Sequence, residues 1–261
     1  MIIKHVFINR RIELFIKEIC DFLLFLEDKV FGKGVCYNET VKTLVIIPAF
    51  NEQDNILPLI NDVNSYGYDY LVINDCSTDD TGKLLRENEL NHLDLPVNLG
   101  IAGVTRVGFL YARDHDYDCA ICVDGDGQHP PKFIHELISE IENGNDYVVG
   151  SRFLKDKKPW TARMLGSRII CFLIKLKTGK TVTDPTSGMR ALGRKVIDDF
   201  ADSMNYFAEP DTMCHLISKK YKVKEIPVEM KEREAGVSYF HNPLKSIYYM
   251  MSVALSIIFV Q

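Results

Sequence analysis

The sequence predicts an α/β protein built on one mostly parallel sheet, with helices wound over both of its faces. Three observations carry this. Short β-branched runs, beginning with "TLVIIP" (43–48) and "YLVIND" (70–75), alternate with segments whose apolar residues recur at helical spacing. The loops between them are short, as expected where helices carry the chain back to start the next parallel strand. Polar residues also collect where the strands stop: Asn51 and Glu52, Asp75, Asp124 and Asp126, and Arg152. Ligands in such sheets bind outside the carboxyl ends of the strands.

Taken in order, residues 1–40 form an apolar-rich extension, "MIIKHVFINRRIELFIKEICDFLLFLEDKVFGKG" and its following loop. It never runs eighteen residues without a charge, and no small-residue cleavage site follows, so it reads as an amphipathic helix rather than a signal or a span. It would cover the globular domain, pair with another chain or lie on a membrane. Residues 41–240 hold the alternating pattern. "TLVIIP" is stopped by its proline, and "NEQDNILPLINDVNS" places Ile56, Leu59, Ile60 and Val63 on one helical face. After "YLVIND", "STDDTGKLLREN" starts a helix with Ser77 as its cap and acids in the first turn. "VGFLYARDH" closes a third helix, "CAICVDGD" is a central strand, and "PKFIHELISEIENG" is a helix ending at Gly144. "YVVGSR" and "YKVKEIPVEM" are later strands, and residues 241–261 form a C-terminal apolar helix.

At 261 residues the chain can bury one sizeable core. A net charge of −5 argues against a duplex-binding protein, which needs a basic surface to neutralise phosphates. Seven cysteines, an odd number without framework spacing, point to a reducing compartment. Cys119 and Cys122 mimic a CxxC pair, but residues three apart on a strand face opposite ways, so both are read as core. "TGKT" (178–181) resembles the end of a phosphate-binding P-loop, yet Ile174 stands where the first glycine is required. No G-x-G-x-x-G follows the first strand, which disfavours a dinucleotide dehydrogenase.

"CVDGDGQHPP" (122–131) ends an apolar strand on two carboxylates, Asp124 and Asp126. Like charges so close repel, and each is costly to desolvate without a compensating cation or donor. Oxygen ligands at a strand end suit a hard cation such as Mg²⁺ or Mn²⁺, which bridges nucleotide phosphates and neutralises a leaving diphosphate. Taken alone, the segment also reads as a solvated turn.

Seven segments in order, "VIIPAFNEQDNI", "VINDCSTDDT", "NLGIAGVTRVGFLYA", "VDGDGQHPP", "VGSRF", "DPTSGMRAL" and "EREAGVSYF", make the chain resemble the family 2 glycosyltransferases over residues 43–240. Within them it is similar to the dolichyl- or polyprenyl-phosphate sugar transferases. The resemblance implies a GT-A fold, a Rossmann-like sheet, over 41–240, and a metal-dependent hexosyltransferase that inverts the anomeric centre. By it, Asp124–Gly125–Asp126 is the D-x-D motif that holds the metal and the sugar diphosphate. Pro48, Phe50, Glu52 and Ile73 line the nucleoside, with Glu52 on the ribose, and Asp75 accepts hydrogen bonds from the base. Asp124 lies near the ribose and diphosphate, Asp126 binds the metal directly, and Gln128 is a further ligand candidate. Arg152 and Arg233 pair with the diphosphate, a task suited to a guanidinium fork. Many relatives carry D-D where this chain has Asn74–Asp75. In-line displacement ordinarily needs a base on the acceptor, for which Asp184, Asp211 and Glu209 are the candidates; "DPTSG" also reads as a plain turn.

Residues 155–180 hold eight Lys or Arg against the single acid Asp156, interleaved with Trp160, Met164, Leu165, Ile169, Phe172, Leu173 and Leu176 at helical spacing. A basic amphipathic helix with a terminal tryptophan fits an anionic membrane surface, although a helix packed on the domain with a solvated edge has the same pattern. Sixteen uncharged residues follow Lys245, marginally short for a span. They read as an interfacial anchor, part of a membrane helix, or a helix buried in a complex, which leaves room for a membrane partner protein or a homo-oligomer. A lipid-phosphate acceptor needs such a surface. The reading is therefore hexose transfer from a UDP- or GDP-linked sugar to a polyprenyl phosphate at the cytoplasmic membrane face. A lipid-linked or cell-surface saccharide acceptor is the alternative, and a non-catalytic nucleotide-sugar scaffold is the alternative from another class.

Overall fold

A computed structural model describes residues 41–202, 210–230 and 243–259. Its elements are β1 (Thr43–Ala49), α1 (Ile56–Ser65), β2 (Asp69–Asn74), α2 (Thr81–Glu87), β3 (His92–Asp94), α3 (Gly100–Asp114) and β4 (Cys119–Cys122). A 3-10 turn at Pro131–Phe133 leads into α4 (Ile134–Glu142), followed by β5 (Tyr147–Ser151), α5 (Ala162–Thr178) and β6 (Arg190–Gly193). The chain continues through α6 (Arg194–Asp202), α7 (Pro210–Ser218), β7 (Val223–Pro227) and α8 (Pro243–Phe259).

Seven strands form one sheet in the order β3-β2-β1-β4-β6-β5-β7. All pairs are parallel except the two made by β6, which runs against β4 and β5. Leu44 to Ile47 are fully buried, the continuous apolar run expected of a strand covered on both faces. One face carries α1, α2 and α4, whose Ile56, Ile60, Leu85, Ile134 and Leu137 pack on Val45, Ile47 and Ile121. The other carries α3, α5, α6, α7 and α8 on Leu44, Ile46 and Ala120. Cys122 belongs to this second core and Cys119 to the first, so the two thiols do lie on opposite faces. Burial pushes both thiols up to about 12.

Two strands escaped the sequence reading. β3 is three residues long, and β6 is the segment "RALG", with an arginine and a glycine among its four residues. β6 matters most for the site. Because it is antiparallel, Arg190 pairs with Cys122 and with Val149, so the loop that precedes β6 enters at the edge where β4 and β5 end. "TGKT" closes α5, with Gly179 as its left-handed C-cap. The amphipathic extension read over residues 1–40 lies outside the described residues.

Candidate active site

The loops after β1 and β2 are stitched together by their own polar residues. Asn51 N–H donates to Ser77 Oγ, Glu52 N–H to Thr81 Oγ1 and Gln53 N–H to Asp79 Oδ2. In return Thr78 N–H donates to Asn51 Oδ1, and Asp80 N–H to Gln53 Oε1. Asn51 takes a positive φ of 56°, which Asn tolerates better than most residues. The expected Ser77 cap is not made: α2 begins at Thr81, and Asp79 Oδ1 takes the Thr81 N–H instead. Ser77 lies four positions before that helix start, and its hydroxyl is engaged across the loop by Asn51.

Asp75 is buried, and its carboxylate accepts the Leu99 and Gly100 N–H groups at 2.7 and 2.9 Å. It therefore caps α3, two of whose amide donors would otherwise lack an intrahelical partner. Pro48 is half-buried and Phe50 exposed at the end of β1, open to a planar ligand. Glu52 accepts from Asn55 Nδ2 at 2.7 Å. Ile73 is a correction to the sequence reading: it is fully buried in the core, where its side chain has no surface for a nucleoside.

The Asp124–Asp126 loop lies against the end of β1. A Cβ on Gly125 would fall 2.6 Å from the Pro48 carbonyl oxygen, so only glycine lets the two loops approach this closely. The Asp124 carboxylate is 42% exposed and rests beside His129, with Nδ1 at 3.6 Å from Oδ2. The buried His129 ring accepts the Asp124 N–H at 3.1 Å, which pins the backbone of the motif. Gly188 leaves the space beneath: a Cβ there would overlap Asp124 Oδ2 and His129 Cε1. Asp126 Oδ1 accepts the Gln128 N–H at 3.1 Å, closing a tight turn.

These residues fit a hard divalent cation by donor chemistry. Asp124 and Asp126 offer carboxylate oxygens, and glycines on two sides keep side chains out of the space around Asp124. No three His, Cys, Asp or Glu side chains converge on one point among the described residues. An ion held here would complete its shell with phosphate and water oxygens, as Mg²⁺ and Mn²⁺ sites on nucleotides do.

Opposite, Asp184 and Arg152 form a fork. Arg152 Nε and Nη2 donate to Asp184 Oδ2 and Oδ1 at 2.6 and 2.8 Å, and the Arg152 N–H reaches Oδ2 at 3.2 Å. The Asp184 side chain is 0% exposed and that of Arg152 22%. Thr186 Oγ1 also donates to Asp184 Oδ1. Nη1 of Arg152 has no partner among the described residues.

Asp211 is elsewhere in its contacts. It sits in the first turn of α7, where its carboxylate accepts from Ser256 Oγ of α8. Arg233 and Glu209 lie outside the described residues.

The family model described as "Glycosyl transferase family 2" matches residues 44–200, which run from β1 into α6 and include the Asp124, Arg152 and Asp184 loops. The chain belongs to glycosyl transferase family 2. Similar relatives include the polyprenol monophosphomannose synthase of Mycolicibacterium smegmatis, 28% identical over 76% of this chain and 81% of that protein. The UDP-N-acetylglucosamine–dolichyl-phosphate N-acetylglucosaminyltransferase of Methanococcus voltae is 30% identical over 71% of this chain and 84% of that protein. Among solved structures, the glucosyl-3-phosphoglycerate synthase of Mycobacterium tuberculosis with Mn²⁺, UDP-glucose and phosphoglyceric acid aligns at a TM-score of 0.60. That alignment covers 82% of this chain and 79% of the synthase at 16% identity, a likeness of fold: the GT-A arrangement.

The edge of this family 2 sheet thus brings together the loops of Pro48, Asp124 and Gly188, with the Asp184–Arg152 fork on the strand next along. Sequence reasoning missed His129, although it stands three residues after Asp126 in the quoted motif. It also missed Glu225 on β7, which accepts the Thr183 and Asp184 N–H groups. A polar residue on an otherwise apolar strand face was the available signal. Its partners, 41 and 42 residues away, were not legible.

Proposed function

We propose that this chain transfers a hexosyl group from a nucleoside diphosphate sugar to a polyprenyl phosphate at the cytoplasmic face of a membrane. The observation that carries the acceptor assignment is the surface of α5 and its contact with the site. Leu165, Ile169, Phe172 and Leu176 recur along one exposed stripe of α5. Ile170 and Ile174 on its opposite side enter the same core as Val253 and Ile257 of α8. On α8, Met251 and Leu255 are exposed as well. Trp160, 85% exposed, stands at the start of α5 with the Arg168 guanidinium 4.2 Å over its ring. Cys171 on the inner side of α5 lies 3.8 Å from the Thr183 carbonyl, one residue from Asp184. A basic, apolar face backed directly onto the site suits an anionic lipid headgroup presented from a membrane. No helix among the described residues is long and apolar enough to cross a membrane.

In this reading Pro48 and Phe50 face the nucleoside, and Glu52 meets the ribose. Asp75 sets the floor of the base site through its cap on α3. Asp126 and Asp124 hold Mg²⁺ or Mn²⁺, with Gln128 nearby, and that ion supplies positive charge to the leaving diphosphate. Arg152 directs Nη1 at the same phosphates, with Arg233 as the second cation. An acceptor phosphate oxygen attacks the anomeric carbon in line, the bond to the β-phosphate oxygen breaks, and its electron pair leaves with the nucleoside diphosphate. A phosphate monoester has a second pKa near ~6 and arrives largely ionised, so no strong base is required. Asp184, buried and saturated by Arg152, is a positioning carboxylate here, and Asp211 braces α7 against α8.

The test is a donor screen with purified protein, Mn²⁺, labelled UDP- and GDP-sugars and a short polyprenyl phosphate. Lipid-extractable label is expected with one donor. Label found only on a lipid-linked saccharide would shift the reading to chain extension. Donor binding with no transfer to any acceptor would favour a non-catalytic scaffold.

A further inference from the structure

We infer that Glu225 is a positioning residue for transfer, acting through the Asp184 loop on the guanidinium of Arg152. The inference rests on the reading of Arg152 as a phosphate clamp. β7 pairs with β5 in parallel, with Glu225 opposite Val149, so its carboxylate lies two residues below Ser151 and three below Arg152. Oε1 accepts the Asp184 N–H at 2.8 Å and the Thr183 hydroxyl at 3.0 Å, and Oε2 accepts the Thr183 N–H at 2.9 Å. Because Thr183 Oγ1 spends its proton on Glu225, it must accept from Ser151 Oγ, 2.6 Å away. Ser151 Oγ in turn accepts the Phe153 N–H at 3.1 Å. The hydrogen bonds therefore run in one direction, from the backbone flanking Arg152 into the Glu225 carboxylate. Charge-assisted bonds of this kind are among the stronger ones, and they polarise one another where water is scarce.

The same loop is held from its other side. Asp184 fixes the guanidinium through Nε and Nη2, leaving the Nη1 edge for a ligand. Two carboxylates in series thus determine where Nη1 points: Glu225 sets the backbone of Thr183–Asp184, and Asp184 sets the plane of Arg152. Neither touches the reacting atoms. A displacement of about 1 Å in such a group costs on the order of 10²-fold in rate.

The test compares two side chains of similar length. Glu225→Met keeps bulk but removes every acceptor, whereas Glu225→Gln keeps an oxygen at the Oε1 position, where Thr183 and Asp184 converge. Glu225→Met is expected to lower kcat by about 10²-fold with little change in donor KM, and Glu225→Gln to recover most of that loss. A merely space-filling role predicts equal behaviour of the two, and that result would overturn the inference. A double-mutant cycle with Arg152→Lys adds the decisive arm. If Glu225 acts through Arg152, Glu225→Met costs little more in the Arg152→Lys background; independent, multiplying losses overturn the relay. Full activity of Arg152→Lys alone would overturn the clamp reading itself, which separates the two failures. Should Glu225→Met fail to fold, Thr183→Val cuts the same chain at its hydroxyl and carries the same expectation in the cycle, with a smaller loss.

Discussion

Asp124 and Asp184 are both aspartates on loops at one edge of the same sheet, yet they live in opposite conditions. Asp124 is 42% exposed and rests beside the His129 ring, whose Nδ1, 3.6 Å from its carboxylate, accepts the Asp124 N–H. Asp184 is fully buried and takes bonds from Arg152 and Thr186 on both oxygens. A carboxylate with open lone pairs can take a cation or a ligand. One whose oxygens are already engaged can only hold its neighbours in place. The difference teaches that residue type and location at a strand end do not by themselves assign a role; the remaining hydrogen-bonding capacity does.

The largest effect is expected at the exposed Asp124–Asp126 loop. Asp126→Asn, or EDTA added to the unaltered protein, is expected to reduce transfer by at least about 10²-fold, measured as lipid-extractable label. Full activity in EDTA would remove the cation from the site. Asp124→Asn is expected mainly to weaken donor binding in calorimetry.

At the closed loop the larger effect should fall on stability. Asp184→Asn leaves the Arg152 guanidinium without its counter-charge and should cost about 3 kcal/mol in urea unfolding, the low end for such pairs because Arg152 is partly exposed. Raising the pH should not restore its lost activity. Recovery at high pH with normal donor binding would make Asp184 a true base and would count against a lipid-phosphate acceptor.

Asp75 stands between the two cases, since its carboxylate caps α3 and also borders the expected base site. Asp75→Ala should cost about 1–2 kcal/mol through the lost cap. An unchanged melting temperature would show that the cap contributes nothing.

At neutral pH the smallest effect is expected from the buried thiols, whose contribution changes only in alkali. Burial pushes Cys119 and Cys122 up to about 12, and burial with the Asp69 hydrogen bond does the same for Tyr117. Groups raised in the folded state stabilise it fully below their unfolded values and lose that contribution as pH climbs towards the folded ones. The urea midpoint should therefore decline between about pH 9 and 12. At neutral pH a thiol reagent should modify exposed Cys76 and spare Cys119 and Cys122 until the chain unfolds.

Much of the edge was legible because its signals are local. "VIIP", "YLVIND" and "CAICV" announce buried strands by composition, and Asp-Gly-Asp after one of them announces an unusual strand end. Other motif residues were legible as polar but not as stitching. Asn51, Gln53, Ser77 and Asp79 spend their side chains on one another's loops, and the reading of Ser77 as a helix cap failed for that reason. Ile73 was read as a ligand contact because it lies in a matched motif, and its place in the pleat puts it in the core instead.

By itself, then, the sequence determined five of the six parallel strands, all but β3, with the helices between β1 and β5, and the carboxylates and arginine at the sheet's edge. All of these follow from periodicity and composition within windows of about ten residues. The tertiary structure alone decided that β6 runs backwards between β4 and β5, which delivers the Asp184 and Gly188 loop to that edge. It alone decided that Glu225 meets Thr183 and Asp184 across 41 and 42 residues of chain. The physical reason is the same in both cases. Pairing direction and side-chain partnership depend on which distant surfaces pack together, and a local pattern of apolar and polar residues is compatible with several such packings.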